Sequence, residues 1–182
     1  MIKYSKFLKE HQKLVTSFIA LVSLIIASKI SIDLVFSPVP ITLQTLAVLL
    51  IAFLFEKRLS VIIILTYLLL GLFGFAVFAG SKVGLSAFTG ATGGFLIGFL
   101  IAAYLISIIN ERLIKPSFLS YFILFILGHL IISIIGLGKL YFHVGDRFLE
   151  LGFYPFLPGL FIKSLIGTFI IYYRERIIKL FT

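Results

Sequence analysis

The sequence predicts an all-α, polytopic membrane protein, with six transmembrane helices in a single domain over residues 1–182 and both termini on the cytoplasmic side. Three observations predict it. The chain is 61% hydrophobic, with a mean hydropathy of +1.22 and only 13% charged residues. Apolar segments recur along nearly its whole length, many of them close to the roughly 20 residues that a helical crossing takes. Lys and Arg gather at the ends of those segments, where they set orientation rather than forming one basic face for nucleic acid. Six crossings and their connections use up the 182 residues, leaving no length for a soluble domain.

The apolar segments run at about 14–32, 41–55, 59–78, 91–109, 118–137 and 155–173. Each is expected to be helical, because backbone amides in lipid have no water to bond. The first is too long for a secretory signal and has no small-x-small cleavage site after it. The second is short and follows "SPVP" (37–40), whose prolines impose an extended approach and suit a helix start; it is expected to end inside the protein or to run obliquely. The third follows Lys57 and Arg58, the fourth opens on "TGATGG" (89–94), the fifth follows "NERLIKP" (110–116), and the sixth contains Lys163. Eleven basic residues lie in the two tails and in the connections at 57–58 and 112–115, against four on the other side, Lys29, Lys82, Lys139 and Arg147. The excess places both termini in the cytoplasm, in agreement with an even number of spans.

The outer connections, 33–40, 79–90 and 138–154, are longer and richer in Gly, Pro and Ser than the cytoplasmic ones. Long loops of this kind are where binding usually resides. No internal repeat is visible, so an inverted-repeat transporter is not indicated. With no cysteine in the chain, disulfides, thiolate metal sites and a cysteine nucleophile are excluded.

Candidate binding residues follow from polar groups in apolar surroundings. Thr42, Gln44 and Thr45 stand at the outer mouth of the second segment, where an inward glutamine offers a donor and an acceptor to an amide- or urea-like ligand. They also suit helix capping and interhelical hydrogen bonds. Gly93 and Gly94 open the fourth helix with Thr92 just before it; this pattern fits either close helix packing or acceptor oxygens held at a helix start. Tyr67, Phe73, Phe75 and Phe78 are candidates to line an apolar pocket, although the chain has 21 phenylalanines. His129 reads as a histidine bonded to a neighbour in its helix, and His143 lies in an outer connection. Lys163 is the sharpest anomaly, because an ionisable group within a span is by default a functional candidate. Its stem is long enough to reach water, yet the nearest acids in the sequence are Glu150 and Glu175. A ligand carboxylate supplies the missing counter-ion. The seven acidic residues all lie at segment ends or in connections, and no catalytic motif is present; binding without chemistry remains.

Four ordered stretches carry a family resemblance: "SPVPITLQTLAVLL" (37–50), "YLLLGLFGFAVFAG" (67–80), "GATGGFLIGF" (90–99) and "PFLPGLFIK" (155–163). In order and spacing they resemble the BioY family, the biotin-binding substrate-capture (S) components of energy-coupling-factor (ECF) transporters, over about residues 15–173. The resemblance implies a six-helix protein of the cytoplasmic membrane that binds biotin in an outward-facing pocket and needs no cofactor. It implies delivery together with an ECF transmembrane coupling protein and cytoplasmic ATPases, although some members act alone. Taken with the residue readings above, substrate contacts are expected at Lys163, Gln44, Tyr67, Phe78, Gly80, Thr92, Gly93, Gly94 and the Leu160 position, and partner contacts at Ser23 and Ala27 of the first helix. At Leu160 the chain departs from the family, which usually carries an acid one helical turn before the lysine. That acceptor for the ureido N–H groups is then lost or supplied elsewhere, with Gln44, Thr92 or backbone carbonyls near Gly80 as candidates. The same substitution leaves room for a related capture component for another vitamin-like ligand, while a membrane-embedded enzyme is the reading from a different class.

Overall fold

Each of the six apolar segments contains a helix, and two short helices join them. A computed structural model describes residues 2–80 and 83–180, with side chains from 11 to 174 outside that break. Lys82 lies outside the described residues, as do the side chains of Lys3, Lys6, Lys9, Arg176 and Lys179. In chain order the helices are α1 (Ile2–Lys29), α2 (Gln44–Leu54), α3 (Lys57–Leu72), α4 (Leu85–Thr89), α5 (Gly93–Glu111), α6 (Phe118–Val144), α7 (Phe148–Gly152) and α8 (Leu157–Leu180). One antiparallel pair of two-residue strands, β1 (Ser31–Ile32) and β2 (Ile41–Thr42), closes the connection between α1 and α2.

Among the described residues, three stretches are long and apolar enough to cross a membrane: His11–Lys29, Gly93–Glu111 and Phe118–Arg174, the last holding both α6 and α8. Helix α2 has 11 residues, or about 16 Å at 1.5 Å per residue. That is roughly half the hydrocarbon thickness of a bilayer. It survives because it is wrapped by protein, with Leu46, Val48, Leu49, Ile51, Ala52 and Phe53 buried. α3 stops at Leu72, short of the expected Phe78, because Gly74 takes a φ of 93° and turns the chain back. The residues that follow are not lost to solvent: Val77 and Phe78 return to the core. α6 overruns its expected end and reaches Val144, stopping where Gly145 adopts a φ of 62°.

Packing is centred on α5 and α6, which approach closely through glycines. A Cβ on Gly98 would lie 3.1 Å from the Ile132 backbone, and one on Gly94 would lie 2.7 Å from the Ile135 carbonyl. Small residues of this kind let helices gain dispersion contact where lipid removes the hydrophobic drive to associate. Buried serines tie further helices in, with Ser60 Oγ 3.0 Å from Ser107 Oγ and Ser107 donating to the Ala52 carbonyl at 2.9 Å. The outward surface carries large apolar side chains on every long helix, including Phe18, Ile62, Ile101, Ile123 and Ile166. A continuous apolar exterior is what lipid contact requires.

Contacts sort the connections onto two faces. On one, Lys13 pairs with Glu56 at 3.4 Å and the Lys57 amide donates to Glu111 at 2.7 Å. On the other, Ser37 donates to the Leu151 carbonyl at 2.6 Å, and His143 Nε2 lies 3.1 Å from the Thr89 carbonyl oxygen. The second face is where the longer, glycine- and proline-rich connections meet.

Candidate functional site

Lys163 enters the bundle rather than the lipid. It sits in α8, which begins at Leu157 with Pro158 in its first turn, a position where the missing amide costs nothing. Side chains on a helix lean toward its N-terminus. The Lys163 stem accordingly runs back past Gly159, where a Cβ would be 3.8 Å from Lys163 Cε. Its ammonium donates to the Thr42 carbonyl at 3.2 Å and to Thr45 Oγ1 at 2.8 Å, and the residue is only 9% exposed. Both partners are neutral oxygens, so the positive charge has no anionic partner there.

The ammonium faces a cavity of about 90 Å³ between α2, α5, α6 and α8. A single water needs roughly 10–15 Å³ on this measure, so the space suits a small molecule. Its apolar wall comes from Phe78, Phe95, Leu96, Phe99, Ile132 and Leu160, and its polar groups from Thr42, Gln44, Thr45, Thr92, Ser133 and Lys163, with His129. No Asp or Glu is among these residues. The longer connections and α4 form its rim on the loop-rich face, through Val39, Pro40, Ala79, Ala87 and Phe156.

Gln44 is aimed by a relay. Its Nε2 donates to the Tyr67 hydroxyl at 2.6 Å, and that hydroxyl donates to the Val77 carbonyl at 3.0 Å. Ser28 of α1 donates to the same carbonyl at 2.6 Å, and Lys29 donates to the Phe78 carbonyl at 2.6 Å. The segment after α3 is thereby held over the cavity by α1, and Tyr67 stands behind Gln44 rather than in the cavity wall. The Phe78 ring meets Tyr67 edge-to-face, with centroids 5.2 Å apart.

Of the residues expected from sequence, the cavity wall therefore brings together Gln44, Phe78, Thr92, Leu160 and Lys163. Gly80 lies next to the rim residue Ala79, with a φ of 71° that suits glycine. Gly93 and Gly94 serve packing: a Cβ on Gly93 would overlap the Phe88 carbonyl, and Gly94 abuts α6. Phe73 and Phe75 are exposed rather than pocket-lining, because the turn at Gly74 swings them outward. Ser23 is exposed on α1 and Ala27 is half-buried beside it. Sequence reasoning missed the part played by His129, Phe95 and Phe99, whose helical spacing is that of ordinary core. Among the described residues no cluster of three or more His, Cys, Asp or Glu side chains offers a metal site.

Comparison with known proteins agrees with this architecture. A profile of the BioY family matches residues 4–180. The biotin transporter BioY of Thermotoga maritima is 36% identical over 149 residues, covering 81% of this chain and 86% of that protein. The biotin transporter BioY2 of Lactococcus lactis is 40% identical over 155 residues, covering 84% and 85%. A crystal structure of the S-component for biotin from an ECF-type ABC transporter superimposes with a TM-score of 0.84 at 24% identity, over 92% of this chain and 93% of that one; at that identity it establishes the fold. The chain is an integral membrane protein and belongs to the BioY family.

Proposed function

We propose that the chain captures biotin in this cavity and delivers it across the cytoplasmic membrane. Supporting this, the relatives above are biotin transporters. The single observation that carries the site assignment is the Lys163 ammonium, buried in a cavity wall without a carboxylate. Its two protein partners are neutral, which leaves an N–H and an uncompensated charge for an anion. Biotin brings that anion at the end of a flexible valerate chain. Its fused rings suit the aromatic wall of Phe78, Phe95 and Phe99, with Gln44 and Thr92 offering hydrogen bonds, Leu160 apolar contact, and Tyr67 holding Gln44. Gly80 shapes the rim, and Gly93 and Gly94 set the backbone that presents Thr92.

In this reading residues 1–182 form one domain of six spans, α2 being the short one, with both termini cytoplasmic. The binding component performs no chemistry. Energy comes from an ECF coupling protein and its ATPases, docked through the Ser23 and Ala27 side of α1. Uptake of labelled biotin into cells lacking their own transporter tests the proposal. Wild type should accumulate biotin, and Lys163→Ala should lose about 2–5 kcal/mol of binding, at least about thirtyfold in Kd. Ser23→Leu should lower uptake while leaving affinity unchanged. Turnover of a lipid or peptide substrate, or unaltered biotin affinity in Lys163→Ala, would overturn the respective assignment.

A further inference from the structure

His129 Nε2 is the one buried side-chain nitrogen or oxygen among the described residues that has no hydrogen-bond partner. The residue is 4% exposed and lines the cavity. Buried polar groups are nearly always satisfied, so an orphan nitrogen on a residue that lines a ligand-sized space points to the ligand. Its other nitrogen decides what Nε2 offers. Nδ1 lies 2.9 Å from the Phe125 carbonyl oxygen, which only accepts, so Nδ1 carries the proton; the Ser164 hydroxyl oxygen, 3.2 Å away, shares it. A neutral imidazole so fixed presents a lone pair at Nε2. No carboxylate lines the cavity to balance a second positive charge beside Lys163.

Helix direction separates the two groups. α8 begins at the loop-rich outer face, and the Lys163 stem leans back toward that end, past Gly159. α6 runs the opposite way, and the His129 ring leans back toward Phe125, away from the outer face. The ammonium is therefore nearer the mouth and the imidazole lone pair is deeper. We infer that His129 Nε2 accepts a hydrogen bond from a ureido N–H of biotin, setting the ring end at the bottom of the cavity and the carboxylate toward its mouth. This rests on the proposed biotin function, and it gives the ureido ring an acceptor in a cavity without acids.

The test is equilibrium binding of biotin and of its two mono-N-methyl ureido analogues to the purified protein. Wild type should bind biotin and should reject at least one analogue by about tenfold or more. His129→Leu should weaken biotin roughly 5- to 50-fold, the range of a lost buried hydrogen bond, and should lose the discrimination between biotin and that analogue. His129→Gln, whose amide oxygen reaches the Nε2 position, should recover most of both. Should His129→Leu fail to fold, His129→Asn, too short to reach that position, replaces it with the same expected result. Wild-type biotin affinity in the Leu or Asn variant, or undiminished discrimination there, overturns the inference while leaving biotin capture standing. Absence of biotin binding by wild type overturns the capture reading itself, and the inference with it.

Discussion

The residue that best shows how this site is held is Tyr67, which touches no cavity space yet aims a residue that does. Its hydroxyl accepts from Gln44 Nε2 and donates to the Val77 carbonyl. Tyr67→Phe leaves the buried Gln44 amide N–H short of a partner, at about 1–3 kcal/mol, while the Val77 carbonyl keeps its bond from Ser28. The expected outcome is biotin affinity lowered about 5- to 100-fold with a folded monodisperse protein, read by equilibrium binding; unchanged affinity would show that Gln44 needs no such support. Residues differ in how plainly the sequence displays them. Lys163 is conspicuous because a charge in an apolar run has few uses. His129 is not, because its role depends on which nitrogen meets the Phe125 carbonyl and on what the other one faces. Tyr67 belonged to a plausible aromatic group, but hydropathy does not reveal that Phe73 and Phe75, close by in sequence, point the opposite way.

At the scale of elements, the α5–α6 contact positions the cavity wall, since Thr92, Phe95 and Phe99 reach it from one helix and His129 and Ile132 from the other. A side chain on Gly98 must displace the Ile132 backbone, which cannot yield as a flexible side chain does. Gly98→Val is therefore expected to destabilise the protein by about 1–3 kcal/mol or more, seen as a lower thermal midpoint in detergent. Gly138→Ala is the control: no atom lies within 4 Å of the added Cβ, and the midpoint should hold or rise slightly. Loss at both positions would indicate a general intolerance of α5 and α6 rather than close approach. The helices were legible because long apolar runs in lipid have no alternative to helix. Their ends were less so. Hydropathy counted Phe73–Phe78 into α3, whereas Gly74 and the bonds to Val77 and Phe78 fold that stretch inward. It also stopped α6 early, because glycine and charge after Leu137 resemble loop composition but do not break a helix until Gly145 adopts positive φ.

For the whole molecule, the contacts that join α1, α3 and α5 at Lys13, Glu56, Lys57 and Glu111 mark one face, and the loop contacts around Ser37 and His143 mark the other. By the basic excess the first is expected to face the cytoplasm. A chain without cysteine makes this directly measurable. Val35→Cys and Ile114→Cys both fall at exposed positions. An impermeant maleimide should label the first in intact cells and the second only after permeabilisation; the reverse pattern would invert the topology. The central claim, that the cavity between α2, α5, α6 and α8 is a biotin site, is tested most directly by calorimetric titration of the protein in lipid nanodiscs with biotin. Saturable binding of one biotin per chain, weakened about thirtyfold or more by Lys163→Ala, is the predicted result. No biotin heat from protein that binds a different vitamin, or one-to-one binding indifferent to Lys163→Ala, would contradict it.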